Sequence, residues 1–260
     1  MKLRSEIDAM NRFGLCALSG SVVVFCGFLI PERASTLEGL TKENLDLPYN
    51  VPGGEEEEEE DAPEIIVFCG LPVEADVFIF LVSATTGMYE PGSLERAKEE
   101  VQRNVREFRE DVEFGIVAYH RTKGVQLYPR NGVPTRAGPA GSESRRNVLG
   151  FFGQFTDDNM YICIYDAFDA AFKMAAAGTS KRKRIIYLAD GNDHRSCGKF
   201  EENESTILQR MTATVTARNI DKIPIDCIQA GIDSNSSILS LFLMDLASKN
   251  RGNYGRLWGE

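Results

Sequence analysis

Ser83, Thr85 and Thr86 follow the apolar run Val77 to Val82, and Gly87 and Met88 come directly after them. Hydroxyl oxygens grouped at a strand end can coordinate a hard cation, hydrogen-bond a ligand or act as a nucleophile, and each use needs different company. A cation site needs several oxygens, some of them charged. A nucleophile needs a base within hydrogen-bond reach and an orienting group behind it. The chain has two histidines, His120 and His194, so a hydrolase would have to combine Ser83 or Ser196 with His194 and Asp190 or Asp193. Ser83 lacks the G-x-S-x-G elbow that exposes a nucleophile on an α/β sheet, and a loop histidine is more commonly solvated, so these residues read as binding rather than catalytic. His120, at a strand end, reads as a surface residue. No C-x-x-C pair occurs, which argues against a structural zinc site. Gly178-Thr179-Ser180-Lys181 lacks the spacing of a phosphate-binding Walker loop.

The elements that must position these residues alternate in type. Val77 to Val82 is continuously apolar, as in a strand buried on both faces of a parallel sheet. Ile65 to Phe68, Phe114 to Tyr119, Gly124 to Tyr128, Ile185 to Ala189, Ile223 to Ala230 and Tyr254 to Trp258 read as further strands. Leu94, Ala97, Val101, Val105 and Phe108 recur at helical spacing, with Glu99 and Arg103 as an i,i+4 pair on the wet side. Further helices are expected around Val148 to Phe152, over Tyr165 to Ala177 closed by Gly178, from a capping box at Thr206 and Gln209 to Asn219, and over Ser237 to Asn250 closed by Gly252. The basic run Lys181 to Arg184 follows a helix C-terminus, where positive charge is favoured. The pattern predicts a three-layer, doubly wound, mostly parallel α/β sheet flanked by helices. In such a sheet the ligand crevice lies outside the carboxyl ends of the strands, where Ser83 to Thr86 stand.

Charge narrows the partners. The formal net charge is −10, but seven negative charges sit in the run Glu55 to Asp61 and residues 1–54 carry −1, leaving −2 for residues 62–260. A nearly neutral domain offers no basic field for nucleic acid. Phe13 to Ile30 is uncharged over eighteen residues, flanked by Lys2, Arg4 and Arg12 before it and Pro31-Glu32-Arg33 after it. That length matches a membrane span, and residues 31–34 make a poor cleavage site. Residues 1–33 therefore read as an uncleaved anchor with the domain outside. The alternative is a cleaved signal and a secreted protein. Residues 34–61, ending in the acidic run, read as a self-repelling tether, and residues 62–260 as the folded domain.

Three local signatures, in order, resemble the von Willebrand factor type A (vWA) family: Phe80-Leu81-Val82-Ser83-Ala84-Thr85-Thr86-Gly87-Met88, Tyr187-Leu188-Ala189-Asp190-Gly191, and Leu246-Ala247 through Gly252-Asn253-Tyr254. The prelude Glu64 to Asp76 and the amino-terminal segment are similar to those of exported bacterial, planctomycete-like members. The resemblance implies a metal-ion-dependent adhesion site in which two serines and a threonine hold Mg²⁺, two aspartates support it and a partner's acidic residue completes the shell. Matched residue by residue, Ser83 stands at the first aspartate, Thr85 at the first serine, Gly87 at the second serine and Ile162 at the threonine, while Asp190 keeps the second aspartate. The site implied is degenerate and metal-free, with no cofactor. The alternative is a cation site rebuilt with Thr86, Asp158 or Asp193.

On this frame Cys163 enters the Tyr165 helix and Cys197 lies in the loop after Asp190, so both face the carboxyl-end loops. A bridge between them would pin loops that a metal ordinarily organises; unpaired thiols are the alternative. Cys69 and Cys227 read as buried fillers within strands. The implied function is a non-enzymatic protein-binding or scaffold module of the cell envelope, with a protein partner at the carboxyl-end loops, among them Thr86, Gly87, Asp190 and Asn192. A purely structural role is a further possibility.

Overall fold

A computed structural model describes residues 62–85, 88, 92–120, 122–155, 163–189, 197, 202–230 and 237–257. The segments 1–33 and 34–61 thus lie outside the described residues, as does Trp258.

The described elements run β1 (Glu64–Phe68), β2 (Leu71–Ala75), β3 (Val77–Ser83), α1 (Ser93–Glu107), β4 (Glu113–His120), β5 (Gly124–Tyr128), β6 (Thr135–Arg136), α2 (Glu143–Phe152), α3 (Tyr165–Ala177), β7 (Lys183–Ala189), α4 (Glu204–Arg218), β8 (Ile225–Gln229), α5 (Ser237–Lys249) and β9 (Tyr254–Arg256). The main sheet has the order β5-β4-β3-β7-β8-β9. β3, β4, β7, β8 and β9 are mutually parallel, and β5 and β6 pair antiparallel with β4. From β3 the chain winds outward through β4 to β5, then returns to β7 and winds the other way. The order therefore reverses between β3 and β7, which lie side by side with Val82 opposite Leu188.

β3 is central, and its side chains divide by parity between two cores. Phe78, Phe80 and Val82 face a core built with α1, α2 and the β1–β2 hairpin. Val77, Ile79 and Leu81 face one built with α3, α4 and α5. Both faces of the sheet are thus covered, so its strands carry continuous apolar runs rather than an alternating pattern. In the first core Phe108 stacks on Phe78 with ring centroids 5.0 Å apart. In the second, the buried Tyr119 and Tyr187 hydroxyls of β4 and β7 hydrogen-bond to each other at 3.0 Å.

Several local expectations are corrected. Leu71–Ala75 is a strand that the pattern did not indicate, because Pro72 and Glu74 leave only Val73 and Ala75 pointing inward. With β1 it forms a separate antiparallel hairpin, held to α1 by the Arg103 guanidinium, which donates to the Val67 carbonyl at 2.8 Å, and by Glu100, which accepts from the Cys69 amide at 2.8 Å. Cys69 is in the turn of this hairpin at φ 49°, not in a strand. Arg103 pairs with Glu100 and Glu107 rather than with Glu99, because the hairpin draws the guanidinium to that side. α4 is capped by Asn203, whose side chain accepts from the Ser205 amide; Thr206 and Gln209 fall inside the helix. Gly178 after α3 is extended, with ψ 148°, and the need for glycine is steric: a Cβ there would lie 2.8 Å from Val77 Cγ1. After α5 it is Arg251, at φ 58°, that takes the left-handed position, while Gly252 lies so close to β8 that a Cβ would meet the Ile225 carbonyl oxygen at 1.9 Å. The strands expected over Ile223 to Ala230 and Tyr254 to Trp258 are shorter, Ile225–Gln229 and Tyr254–Arg256.

Candidate functional site

The reversal of strand order between β3 and β7 opens a crevice at their carboxyl ends, the position where doubly wound sheets bind ligands. β3 ends there in Ser83, whose side chain by parity follows Val77, Ile79 and Leu81 toward the α3 face. Thr85 follows once the chain has left the strand, and the Ala84 amide donates back to the Tyr119 carbonyl at 3.0 Å. Ser83 and Thr85 are fully buried, and their hydroxyls hydrogen-bond to each other at 2.8 Å. Each oxygen therefore has its partner within the protein. Met88, also buried, donates its amide to the Thr85 carbonyl at 3.0 Å.

The second wall of the crevice is tied covalently. Cys163, two residues before α3, forms a disulfide with Cys197, which precedes α4; the Cα atoms are 4.7 Å apart, within the usual span for a bridge. Arg210 of α4 donates to the Cys197 carbonyl at 3.0 Å and pairs with Glu202. Its guanidinium is held above its ordinary range chiefly by the Glu202 carboxylate, with Tyr165 contributing. The disulfide and Arg210 thus connect the entry to α3, the segment before α4 and α4 itself. No motif signals the part played by Arg210; only the approach of Cys197 to α4 does.

Of the other residues expected at the site, Thr86, Gly87, Ile162, Asp190 and Asn192 lie outside the described residues, as do Asp158, Asp193, His194 and Ser196. Among the described residues no group of three or more His, Cys, Asp or Glu side chains is arranged to hold a metal ion.

Two further expectations change. His120 is buried, not at the surface, because Phe155 packs on its ring at 5.9 Å between centroids and Thr122 reaches its Nδ1 at 3.1 Å. The basic run does more than follow a helix end. Arg182 binds Asp76 at 2.6 Å, and one Nη of Arg184 reaches both oxygens of the fully buried Asp226 at 3.0 Å. Thr179 and Ser180 of the Walker-like stretch bind Glu113 and Asp76. These groups sit at the amino ends of the strands, away from the crevice, and serve to fasten the sheet.

No protein-family model and no curated protein sequence matches the chain. Solved structures do share its fold. A von Willebrand factor type A protein from Catenulispora acidiphila superposes with a TM-score of 0.50 at 18% identity, over 72% of this chain and 40% of that one. The pilus adhesin SpaC from Lactobacillus rhamnosus GG, in its open conformation, superposes with a TM-score of 0.51 at 9% identity, over 69% of this chain and 27% of that one. The present chain thus spans less than half the length of either, and at such identities the likeness is one of fold. The described part of the chain has a vWA-like fold, a mostly parallel central sheet between two layers with its crevice where β3 and β7 part.

Proposed function

We propose that the chain is a non-enzymatic protein-binding or scaffold module whose adhesion site is degenerate and holds no metal. The observation that carries this reading is the Ser83–Thr85 pair. A neutral serine stands where the vWA family has its first aspartate, and its hydroxyl is closed to solvent and engaged with Thr85. Magnesium requires hard, charged oxygens in near-octahedral array; two neutral hydroxyls bonded to each other fit it poorly. In place of the ion, the Cys163–Cys197 bridge ties the loops of the same face. The likeness to a pilus adhesin supports an adhesive or scaffolding role.

The partner is a protein, bound through the carboxyl-end loops that carry Thr86, Gly87, Ile162, Asp190 and Asn192. The module works at the cell envelope, tethered by residues 34–61 to an anchor at 13–30, or is secreted if that segment is removed. Among the described residues no helix is long and apolar enough to cross a membrane.

Calorimetric titration with Mg²⁺ and Mn²⁺ tests the metal-free site, and no binding heat is expected. Micromolar affinity abolished by Asp190→Ala would show that the site has been rebuilt. Affinity capture beside an Asn192→Arg variant tests the surface. A partner retained by both proteins would place the contact elsewhere.

A further inference from the structure

We infer that the Cys163–Cys197 disulfide is a redox-addressable latch on the carboxyl-end face. Oxidised, it holds the entry to α3 against the segment leading into α4; reduced, it frees that pair while the sheet and its helices stay folded. The latch deepens the proposed binding role, since it would set the shape of the face offered to a partner.

The bridge lies above the second core rather than inside it. Both cysteines are half-buried, so a small reductant can approach. The two helices it joins do not depend on it for their seats. α3 is anchored by Ile164, Ala167, Phe168, Ala171 and Met174, all fully buried. Ile207, Leu208, Met211 and Val215 do the same for α4. What the bridge adds is the relative position of the two helix entries. The remaining described tie from α4 to Cys197 is Arg210, which bonds the Cys197 carbonyl and Glu202 through a side chain 40% exposed. Such partly solvated pairs are weak alone. Opening the covalent bond therefore leaves the helix entries to side-chain contacts of this partly solvated kind, Arg210 and also Arg218 of α4, which lies 5.0 Å from the Tyr165 ring centroid and pairs with Asp169 of α3 at 2.7 Å, with the core below them intact.

The chemistry is a two-electron exchange. A thiolate of a dithiol attacks one sulfur and forms a mixed disulfide, releasing the other cysteine. The second thiolate of the reductant then closes its own ring and releases the first, so the dithiol is oxidised and Cys163 and Cys197 each take up a proton. No other described thiol is poised to interfere. Burial, with the Glu100 charge adding, pushes Cys69 up to about 12, and Cys227 is fully buried with its thiol raised by the same cause. Either would have to ionise before it could exchange.

Hydrogen exchange on the full 260-residue chain tests the latch without needing a partner. Three samples are compared: the oxidised protein, the protein in dithiothreitol, and a Cys163→Ser, Cys197→Ser double variant, which separates this bridge from any effect of reductant on other cysteines. At labelling times short against global opening, residues 163–168 and 202–210 should exchange at least about tenfold faster in the last two samples, with β3, β4, β7 and β8 unchanged. Removing the reductant should restore protection in the wild type. Unchanged exchange at both helix entries would overturn the latch, and so would a rise spread evenly over all elements, the sign of a global staple. Either result leaves the binding role to be decided by the Asn192→Arg capture.

Discussion

Asp226 is fully buried, and its charge is matched by the Arg184 guanidinium and a backbone amide. Arg184 bonds both of its oxygens at 3.0 Å, and the Asn253 amide donates to Oδ1 at 2.7 Å. Three successive strands are joined through one carboxylate, Arg184 on β7, Asp226 on β8 and Asn253 just before β9. Removing one partner of a buried pair leaves the other charge unmatched, so Asp226→Ala should lower unfolding free energy by about 3 kcal/mol in chemical denaturation. A loss near zero would mean that water replaces the carboxylate at the Arg184 guanidinium. The thiols make a different prediction. A Cys69 thiol raised to about 12 is almost wholly protonated at neutral pH, so iodoacetamide at pH 8 should label Cys69 and Cys227 far more slowly than an ordinary cysteine. Peptide mass mapping over time reads both rates.

Among the elements, the β1–β2 hairpin has the most conditional attachment. Its turn is docked on α1 through Glu100, which accepts from the Cys69 amide and from Arg103. Burial alone would raise the Glu100 carboxyl, but hydrogen bonds from Arg103 and Cys69 outweigh it and hold the group below its ordinary 4.5. A carboxyl depressed in the folded state contributes stability that is complete above the unfolded value and is lost as pH falls through the folded one. Protection of the Cys69 amide should therefore be lost on acidification, at a pH below the group's ordinary 4.5 and ahead of the strands of the main sheet, and Glu100→Gln should remove that pH dependence. Exchange of the Cys69 amide followed by NMR against pH is the measurement. At the far edge, α5 meets β8 so closely that Gly252→Ala must move backbone rather than a side-chain tip. A loss of about 3 kcal/mol is expected from such overpacking, read as a lower denaturation midpoint.

For the whole molecule, the long-range covalent constraint among the described residues is the Cys163–Cys197 bridge, with a sequence separation of 34 residues that takes in all of α3 and β7. Closing a loop of that size removes denatured-chain entropy worth about 3 to 4 kcal/mol in the chain-entropy model. Equilibrium denaturation of the oxidised chain and of the double serine variant should differ by that amount. A much smaller difference would mean that the cost of holding the two helix entries together offsets the gain. This global contribution is compatible with a local latch, because a domain of this size can lose a few kcal/mol and remain folded.

Sequence alone determined the elements whose burial is two-sided and local in pattern. β3, β4 and β7 appear through apolar runs because both faces of their sheet are covered, and α1 and α3 appear through apolar residues at helical spacing. The vWA-like order of these runs and the place of Ser83 at a strand end were legible for the same reason. Tertiary structure alone decided what depends on partners distant in the chain. The Leu71–Ala75 strand was hidden because only Val73 and Ala75 turn inward, and its stability comes from pairing with β1 and docking on α1. His120 is buried because Phe155, thirty-five positions later, comes to lie on it. Arg184 reads as part of a basic run until β8 brings Asp226 beside it, 42 residues away. At the crevice, residue types suggested free hydroxyls, whereas the fold pairs Ser83 with Thr85 and encloses both. Composition records which groups a chain carries; only the folded geometry settles which of them have already spent their hydrogen bonds on one another.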